Sequence, residues 1–126
     1  MTLDLILHKI SVKTNGWTAM DLTEDIQRIV YEKKLKHGVV TVFTPSKNVV
    51  VTTIEYEPQL LGDLESLIKK LGGPSSIVEA LIGKTTTIPV VNSNLETGTY
   101  KRIVLIDLSN EPGDKEVVIV LEGIYH

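Results

Sequence analysis

The chain has 126 residues, of which 42% are hydrophobic and 23% charged, and it contains no cysteine. This length predicts one domain over residues 1–126, long enough to bury a core. No stretch approaches the roughly 18 apolar residues of a membrane helix, and no thiol is present to form a disulfide or a metal site. We therefore expect a cytoplasmic protein without a membrane partner, and the formal charge of −3 argues against nucleic acid as a partner.

The first half of the chain alternates between strand and helix patterns. Apolar alternation predicts a strand over residues 3–13, followed by a turn. Asp21 or Thr23 can cap the next helix, which should end near Lys34. Two β-branched runs then predict strands that we expect to be antiparallel neighbours, residues 39–43 and 49–57.

The second half begins with helices and ends with strands. Leucines at helical spacing predict a helix over residues 59–71, with Pro58 in its first turn, and a shorter helix should run from the Pro74-Ser75-Ser76 segment to Ile82. Three β-rich runs follow, at residues 86–91, 99–108 and 116–125. This order predicts an α+β fold in which a mainly antiparallel sheet packs with two to three helices.

Three carboxylates surround the predicted junction between strand 49–57 and the helix after it. Glu55 and Glu57 are two residues apart, so both should project from one face of the strand together with Thr53. Asp63 can point back toward the same place from the helix. Close carboxylates can act as a general acid or base, or can bind a hard cation or an ammonium group. The alternative is that Glu57 is a solvated strand end beside a helix N-terminus and that Asp63 is a surface residue.

Other polar residues give weaker indications. His8, His37 and His126 share no metal-ligand spacing, so no metal is expected from histidine. Ser75 and Ser76 lie at a predicted helix start, where they can cap the helix or where backbone N–H groups can bind phosphate. Lys101 and Arg102 can each hold an anion or be solvated, but adjacent strand residues face opposite ways, so only one can serve a given site.

Three segments together resemble the YjbQ-like family over nearly the whole chain. The most specific is Thr52-Thr53-Ile54-Glu55-Tyr56-Glu57-Pro58 with the leucines and Asp63 that follow, which is similar to an archaeal variant of the acidic motif of that family. The others are Ala80-Leu81-Ile82-Gly83 with Ile88-Pro89-Val90, and the run from Thr97 to Ile103. The resemblance implies a small cytoplasmic α+β protein that forms homotrimers, with proposed active sites near subunit contacts.

The same resemblance implies functional residues and two competing functions. It carries over Glu55, Glu57 and Asp63 as catalytic candidates, and Gly98 and Thr99 as binding candidates. Some members are called secondary thiamine-phosphate synthases, so one hypothesis is an enzyme acting on a phosphorylated heterocycle, with Lys101 or the segment from Gly73 to Ser76 holding phosphate.

The second hypothesis is a trimeric ligand-binding or interaction protein without catalysis. It rests on positions where this chain departs from the family. Ser46-Lys47-Asn48-Val49 stands where the family usually has a Ser/His-Thr-Thr/Ala stretch, and Pro74-Ser75-Ser76 stands where it usually has a His-rich segment. Loss of neutral imidazoles removes the best metal ligands and the best proton shuttle near neutral pH. Carboxylates that remain can still hold a hard cation or a cationic ligand, so the cofactor stays unknown.

Overall fold

The computed structural model describes residues 2–126, which fold into three helices and two antiparallel sheets. The helices are α1 (Thr23–Lys33), α2 (Pro58–Leu71) and α3 (Ser75–Ile82). The strands are β1 (Thr2–Asn15), β2 (Thr18–Asp21), β3 (Leu35–Phe43), β4 (Val49–Glu55), β5 (Thr85–Val91), β6 (Asn94–Leu95), β7 (Lys101–Asp107) and β8 (Pro112–Tyr125). The α+β fold with mainly antiparallel sheet is therefore confirmed.

The two sheets pack face to face. The larger has the strand order β1-β8-β3-β5-β6 and the smaller has the order β2-β7-β4. One core contains α1 and the facing sides of both sheets, with Ile26, Val40, Leu105 and Ile119 fully or almost fully buried. A second core lies between the other side of the small sheet and helices α2 and α3, around Val104 and Ile68. Burial on both faces explains why β4 begins with three valines and why β7 carries four consecutive apolar residues.

The expected pairing of the two strands after α1 is wrong. β3 pairs with β5 and β8, whereas β4 pairs with β7 in the other sheet. Both strands have apolar side chains at alternate positions, Val40 and Val42 in β3 and Val49 and Val51 in β4. Because the strands lie in different sheets that face each other, all four side chains are buried in the same core.

Lys84 stabilises the loop that connects β3 in the large sheet to β4 in the small sheet. Its ammonium group donates to the carbonyl oxygens of Ser46 (2.5 Å) and Val49 (2.9 Å) and to Glu79 Oε1 (3.1 Å). The same Glu79 oxygen accepts from the Asn48 backbone N–H at 2.6 Å. This network satisfies loop groups that the sheet ladders leave unpaired.

Most predicted helices and strands are confirmed, with different ends. α1 ends one residue before Lys34, and Pro58 is the first residue of α2. Strand β4 stops at Glu55 and β7 begins at Lys101, so both are shorter than the predicted runs 49–57 and 99–108. The short strands β2 and β6 were not predicted, because four and two residues give too little alternation to detect.

One face of the large sheet has no layer over it. Strand register puts apolar side chains of four strands on this side, and none belongs to either core. We define the outer sheet face by Leu3, Leu5, Leu7, Val39, Phe43, Val91, Val118, Val120 and Ile124. Leu3 is 80% exposed and Leu7 56%. Separately, none of the helices in residues 2–126 is both long and apolar enough to cross a bilayer.

Candidate functional site

Three strand ends meet at one edge of the small sheet. β4 ends at Glu55 directly opposite Lys101, where β7 begins, and β2 ends at Asp21 opposite Val104. The chain then enters α2 through Tyr56 and Glu57. Polar side chains from distant parts of the sequence are therefore brought together where the sheet hydrogen bonds stop.

These side chains surround an open cavity of about 500 Å³, which we call the acidic cavity. It is lined by Asp21, Glu55, Tyr56, Glu57, Tyr100 and Arg102. Three carboxylates and one guanidinium make the lining predominantly negative, and two tyrosine rings supply apolar surface. Such a lining can attract a positively charged group and hold it against aromatic faces.

Glu57 caps helix α2. Its Oε1 accepts the backbone N–H of Gln59 at 3.0 Å and its Oε2 accepts that of Leu60 at 2.7 Å. The Glu57 N–H donates to the Glu55 carbonyl oxygen at 3.0 Å, which makes a tight turn at Tyr56, and the pairing of β4 with β7 ends at Glu55. The prediction that Glu57 belongs to the strand is therefore wrong, because β4 ends at Glu55. Both carboxylates nevertheless line the acidic cavity.

Asp63 lies apart from the other two carboxylates. It is exposed on α2 and is not among the residues that line the acidic cavity. The fold therefore brings together two of the three predicted carboxylates. Helical geometry explains the separation, since Asp63 follows Pro58 by five residues, which turns it to another side of the helix.

Asp21 and Arg102 form an ion pair that the sequence did not reveal. Arg102 Nε donates to Asp21 Oδ2 at 2.7 Å, and Asp21 Oδ1 accepts the Thr23 backbone N–H at 3.0 Å. Burial alone would raise the pKa of Asp21, but the hydrogen bonds from Thr23 and Arg102 outweigh it and hold the pKa below its usual value. The sequence predicts Asp21 only as a helix cap, and because Arg102 is 81 positions further along the chain, no local pattern indicates the pair.

Glu55 has a cationic neighbour across the sheet. Its Oε1 lies 3.7 Å from Lys101 Nζ, and both side chains are nearly half exposed. Arg102 takes the opposite face and pairs with Asp21, so adjacent cations on β7 serve different partners. This division agrees with the expectation that only one of them can reach a given place.

The tyrosines and the turn before β7 complete the cavity edge. Tyr56 donates from its hydroxyl to the Ala19 carbonyl at 3.0 Å, which fixes its ring beside β2. Tyr100 is 82% exposed and has a positive φ of 59°. Gly98 and Thr99 form the turn with it, in which the Lys101 N–H donates to the Gly98 carbonyl at 3.2 Å. Neither Gly98 nor Thr99 lines the acidic cavity.

Ser75 and Ser76 lie elsewhere. Ser75 lines a different cavity with Gly72, Gly73 and Lys69, while Ser76 is exposed on α3. Neither serine caps the helix, since the N-cap is Pro74 and the Ser75 hydroxyl donates to Asn48 Oδ1. The predicted anion-binding residues therefore do not share one site, since of these only Ser75 lines either of the two cavities. Within residues 2–126, no three His, Asp or Glu side chains are grouped closely enough to hold a metal ion.

Residues 8–123 match the family model described as UPF0047 protein YjbQ-like. The chain belongs to this family. A UPF0047 protein from Methanothermobacter thermautotrophicus is 21% identical over 118 residues, covering 82% of each chain.

Solved structures show the same fold. A YbjQ-like protein of unknown function from Sulfolobus solfataricus P2 has a TM-score of 0.91 at 20% identity, covering 98% of this chain and 100% of that one. A hypothetical protein from Aeropyrum pernix K1 has a TM-score of 0.87 at 25% identity, covering 94% and 99%. The YjbQ-like fold is therefore established for this chain, and the acidic motif lies within the matched region.

Proposed function

We propose that this YjbQ-like protein binds a small organic cation in the acidic cavity, and that binding rather than acid–base catalysis is its activity. The observation that carries the proposal is the lining, in which Asp21, Glu55 and Glu57 share one space with Tyr56 and Tyr100. Carboxylates attract positive charge, and tyrosine faces stabilise a cation within about 6 Å of the ring centre. A cationic heterocycle satisfies both contributions.

The existing bonds of the carboxylates favour binding over proton transfer. Glu57 accepts two backbone N–H groups, and Asp21 accepts from Arg102 and Thr23. Protonating either carboxylate would weaken contacts that hold the fold, so neither exchanges a proton without a structural cost. Among the three carboxylates that line the acidic cavity, Glu55 is the one held most loosely. Its cationic partner, Lys101, is 3.7 Å away, and both side chains are nearly half exposed.

A phosphate on the ligand would be held at the rim. We assign that role to Lys101, whose ammonium group is exposed beside Glu55, with Gly98 and Thr99 forming the turn that presents it. Ser75 and Ser76 take no part in this assignment because Ser75 opens into another cavity.

Calorimetric titration with thiamine and thiamine phosphate, which carry a cationic thiazolium ring, tests the proposal. Glu55→Gln and Tyr100→Leu should each raise the Kd about two- to fivefold, which corresponds to the ~0.5–1 kcal/mol of an exposed cation–π or charge contact. Asp63→Asn, from the same sequence motif but outside the lining, should leave the Kd unchanged. Failure of both ligands to bind the unaltered protein would contradict the proposal.

A second candidate is weak thiamine-phosphate synthase activity, favoured by the 3.7 Å approach of Glu55 to Lys101. That pair combines a proton acceptor with a cation able to hold phosphate. In this case purified protein should form thiamine phosphate, and Glu55→Gln should abolish formation while the protein stays folded. Activity that is unchanged by Glu55→Gln would remove Glu55 from the reaction.

We also propose that the protein acts as a cytoplasmic homotrimer. The absence of cysteine fits a reducing compartment. Self-association is supported by the family resemblance and by the exposed leucines of the outer sheet face, since exposed apolar patches often mark interaction surfaces.

A further inference from the structure

An apolar groove lies between α2 and β2, on the side of the small sheet that the helices cover. Its volume is about 140 Å³, and its apolar lining comes from Trp17, Ala19, Leu61, Leu64, Ile68 and Ile106. An apolar cavity of about 150 Å³ is large enough to hold benzene. One six-membered ring therefore matches the available volume.

Gly62 keeps one wall of this groove open. It lies inside α2, where its φ is not positive, and a methyl group on its Cα would meet no atom within 4 Å. Neither backbone conformation nor crowding requires glycine there, although glycine destabilises a helix interior relative to alanine. Because Gly62 lines the groove and has no side chain, it leaves that part of the groove open.

Trp17 and Glu65 give the groove chemical selectivity. Lys69 Nζ lies 5.0 Å from the centre of the Trp17 ring, and Lys69 lines the neighbouring cavity rather than this one. Trp17 therefore contributes to the groove as an aromatic wall, which favours another aromatic ring. Glu65 lines the groove with a carboxylate that can accept a hydrogen bond and repels an anion, and its pairing with Lys69 (3.2 Å) is solvent-exposed and weak.

The geometry points to this groove as a second ligand site, for a neutral single aromatic ring that carries a hydrogen-bond donor, such as a phenol. The ring packs between Trp17 and the aliphatic side chains, and its hydroxyl donates to Glu65. The site shares no lining residue with the acidic cavity. It is thus independent of the function proposed above.

Titration with phenol, followed by the indole N–H signal of Trp17 in ¹H–¹⁵N NMR spectra, tests the site. Trp17 is the single tryptophan, so the signal is unambiguous. We expect saturable binding of phenol and at least tenfold weaker binding of benzoate, which the Glu65 carboxylate repels. Glu65→Gln should reduce this preference severalfold.

Filling the groove provides the decisive variant. Gly62→Leu should weaken phenol binding at least tenfold, and the milder Gly62→Ala about threefold, which covers the case in which leucine perturbs the helix. Ser66→Leu, exposed on the same helix and outside the groove lining, is the matched control and should change the Kd less than twofold. Absence of a Trp17 response to phenol, equal binding of benzoate, or unchanged binding in both Gly62 variants would overturn the assignment.

Discussion

At the scale of single residues, two glycines determine how closely β3 and β8 approach. Gly38 and Gly123 lie opposite each other beside an irregularity in the register. A Cβ on Gly38 would lie 1.9 Å from the Glu122 carbonyl oxygen, and one on Gly123 would lie 2.1 Å from that of His37. The sequence indicates His37-Gly38 only as the approach to a strand, because the residue that pairs with Gly38 is 85 positions away.

Alanine substitutions at two glycines should therefore have opposite effects. Gly38→Ala forces backbone to move and should lower the free energy of unfolding by about 3 kcal/mol. Gly62→Ala meets no atom and improves helix propensity, so it should raise that free energy by about 0.5–1 kcal/mol. Urea denaturation of both variants measures the difference, and equal stabilities would contradict the close approach of β3 and β8.

Asp21 makes stability depend on pH in one direction. Its folded pKa is lowered, so its stabilising contribution is fully present above the ordinary value of 3.8 and is lost as pH falls through the folded pKa. Asp21→Asn keeps the acceptor for Thr23 and removes the charge facing Arg102. We expect the variant to be less stable by about 1 kcal/mol at pH 7, with the difference shrinking in acid.

Denaturation of both proteins from pH 7 to pH 2.5 measures this difference. Comparison with the variant is needed because the pKa of Glu79 is also lowered in the folded protein, so its contribution to stability is lost in acid as well. Burial would raise the pKa of Glu79, but hydrogen bonds from Lys84 and the Asn48 N–H lower it. A stability difference that grows in acid would contradict the Asp21–Arg102 account.

At the scale of elements, the start of α2 decides what the acidic motif can do. The leucine spacing predicts the helix, and Pro58 predicts its first turn. The sequence does not show whether Glu57 belongs to the strand or to the helix, because both are compatible with the alternating pattern before it. Hydrogen bonding places Glu57 with the helix, because the free N–H groups of Gln59 and Leu60 in the first turn donate to its carboxylate.

Loss of the Glu57 cap should be visible in stability. Glu57→Ala leaves the Gln59 and Leu60 N–H groups without their acceptor and should cost about 1 kcal/mol, with Glu57→Gln costing less because one acceptor oxygen remains. Asp63→Ala is the control and should stay within about 0.5 kcal/mol. Thermal and urea unfolding measure these changes, and a Glu57→Ala protein as stable as the control would mean that the cap contributes nothing.

At the scale of the whole molecule, the layers leave the two faces of the large sheet in different environments. The inner face enters the core with α1 and the small sheet, whereas the outer sheet face is uncovered. Burial of such a surface against other copies is favourable at roughly 25 cal/mol per Å². The layer arrangement therefore supports self-association on this side, with the acidic cavity on the other sheet.

If the protein is the trimer proposed above, charges on the outer sheet face should dissociate it without unfolding the chain. The double variant Leu5→Lys with Leu7→Lys alters side chains that are 54% and 56% exposed, so the fold should tolerate it. Light scattering should change from about three times the 13.9 kDa chain mass to the monomer mass. Ser11→Lys, on the same strand face opposite Glu116, should remain a trimer. A monomeric unaltered protein would contradict the trimer.

The sequence by itself determined most of the helices and strands and the family, because the periodicity of apolar residues and the run from Thr52 to Leu64 are local properties of the chain. Tertiary structure alone decided which strands became neighbours, since burial of two apolar faces separated β3 from β4. It also decided the composition of the site. Asp21 and Arg102 meet across 81 residues, while Asp63, only six residues beyond Glu57, turns away with the helix. Packing and hydrogen bonds between distant segments, which no local pattern records, produced both outcomes.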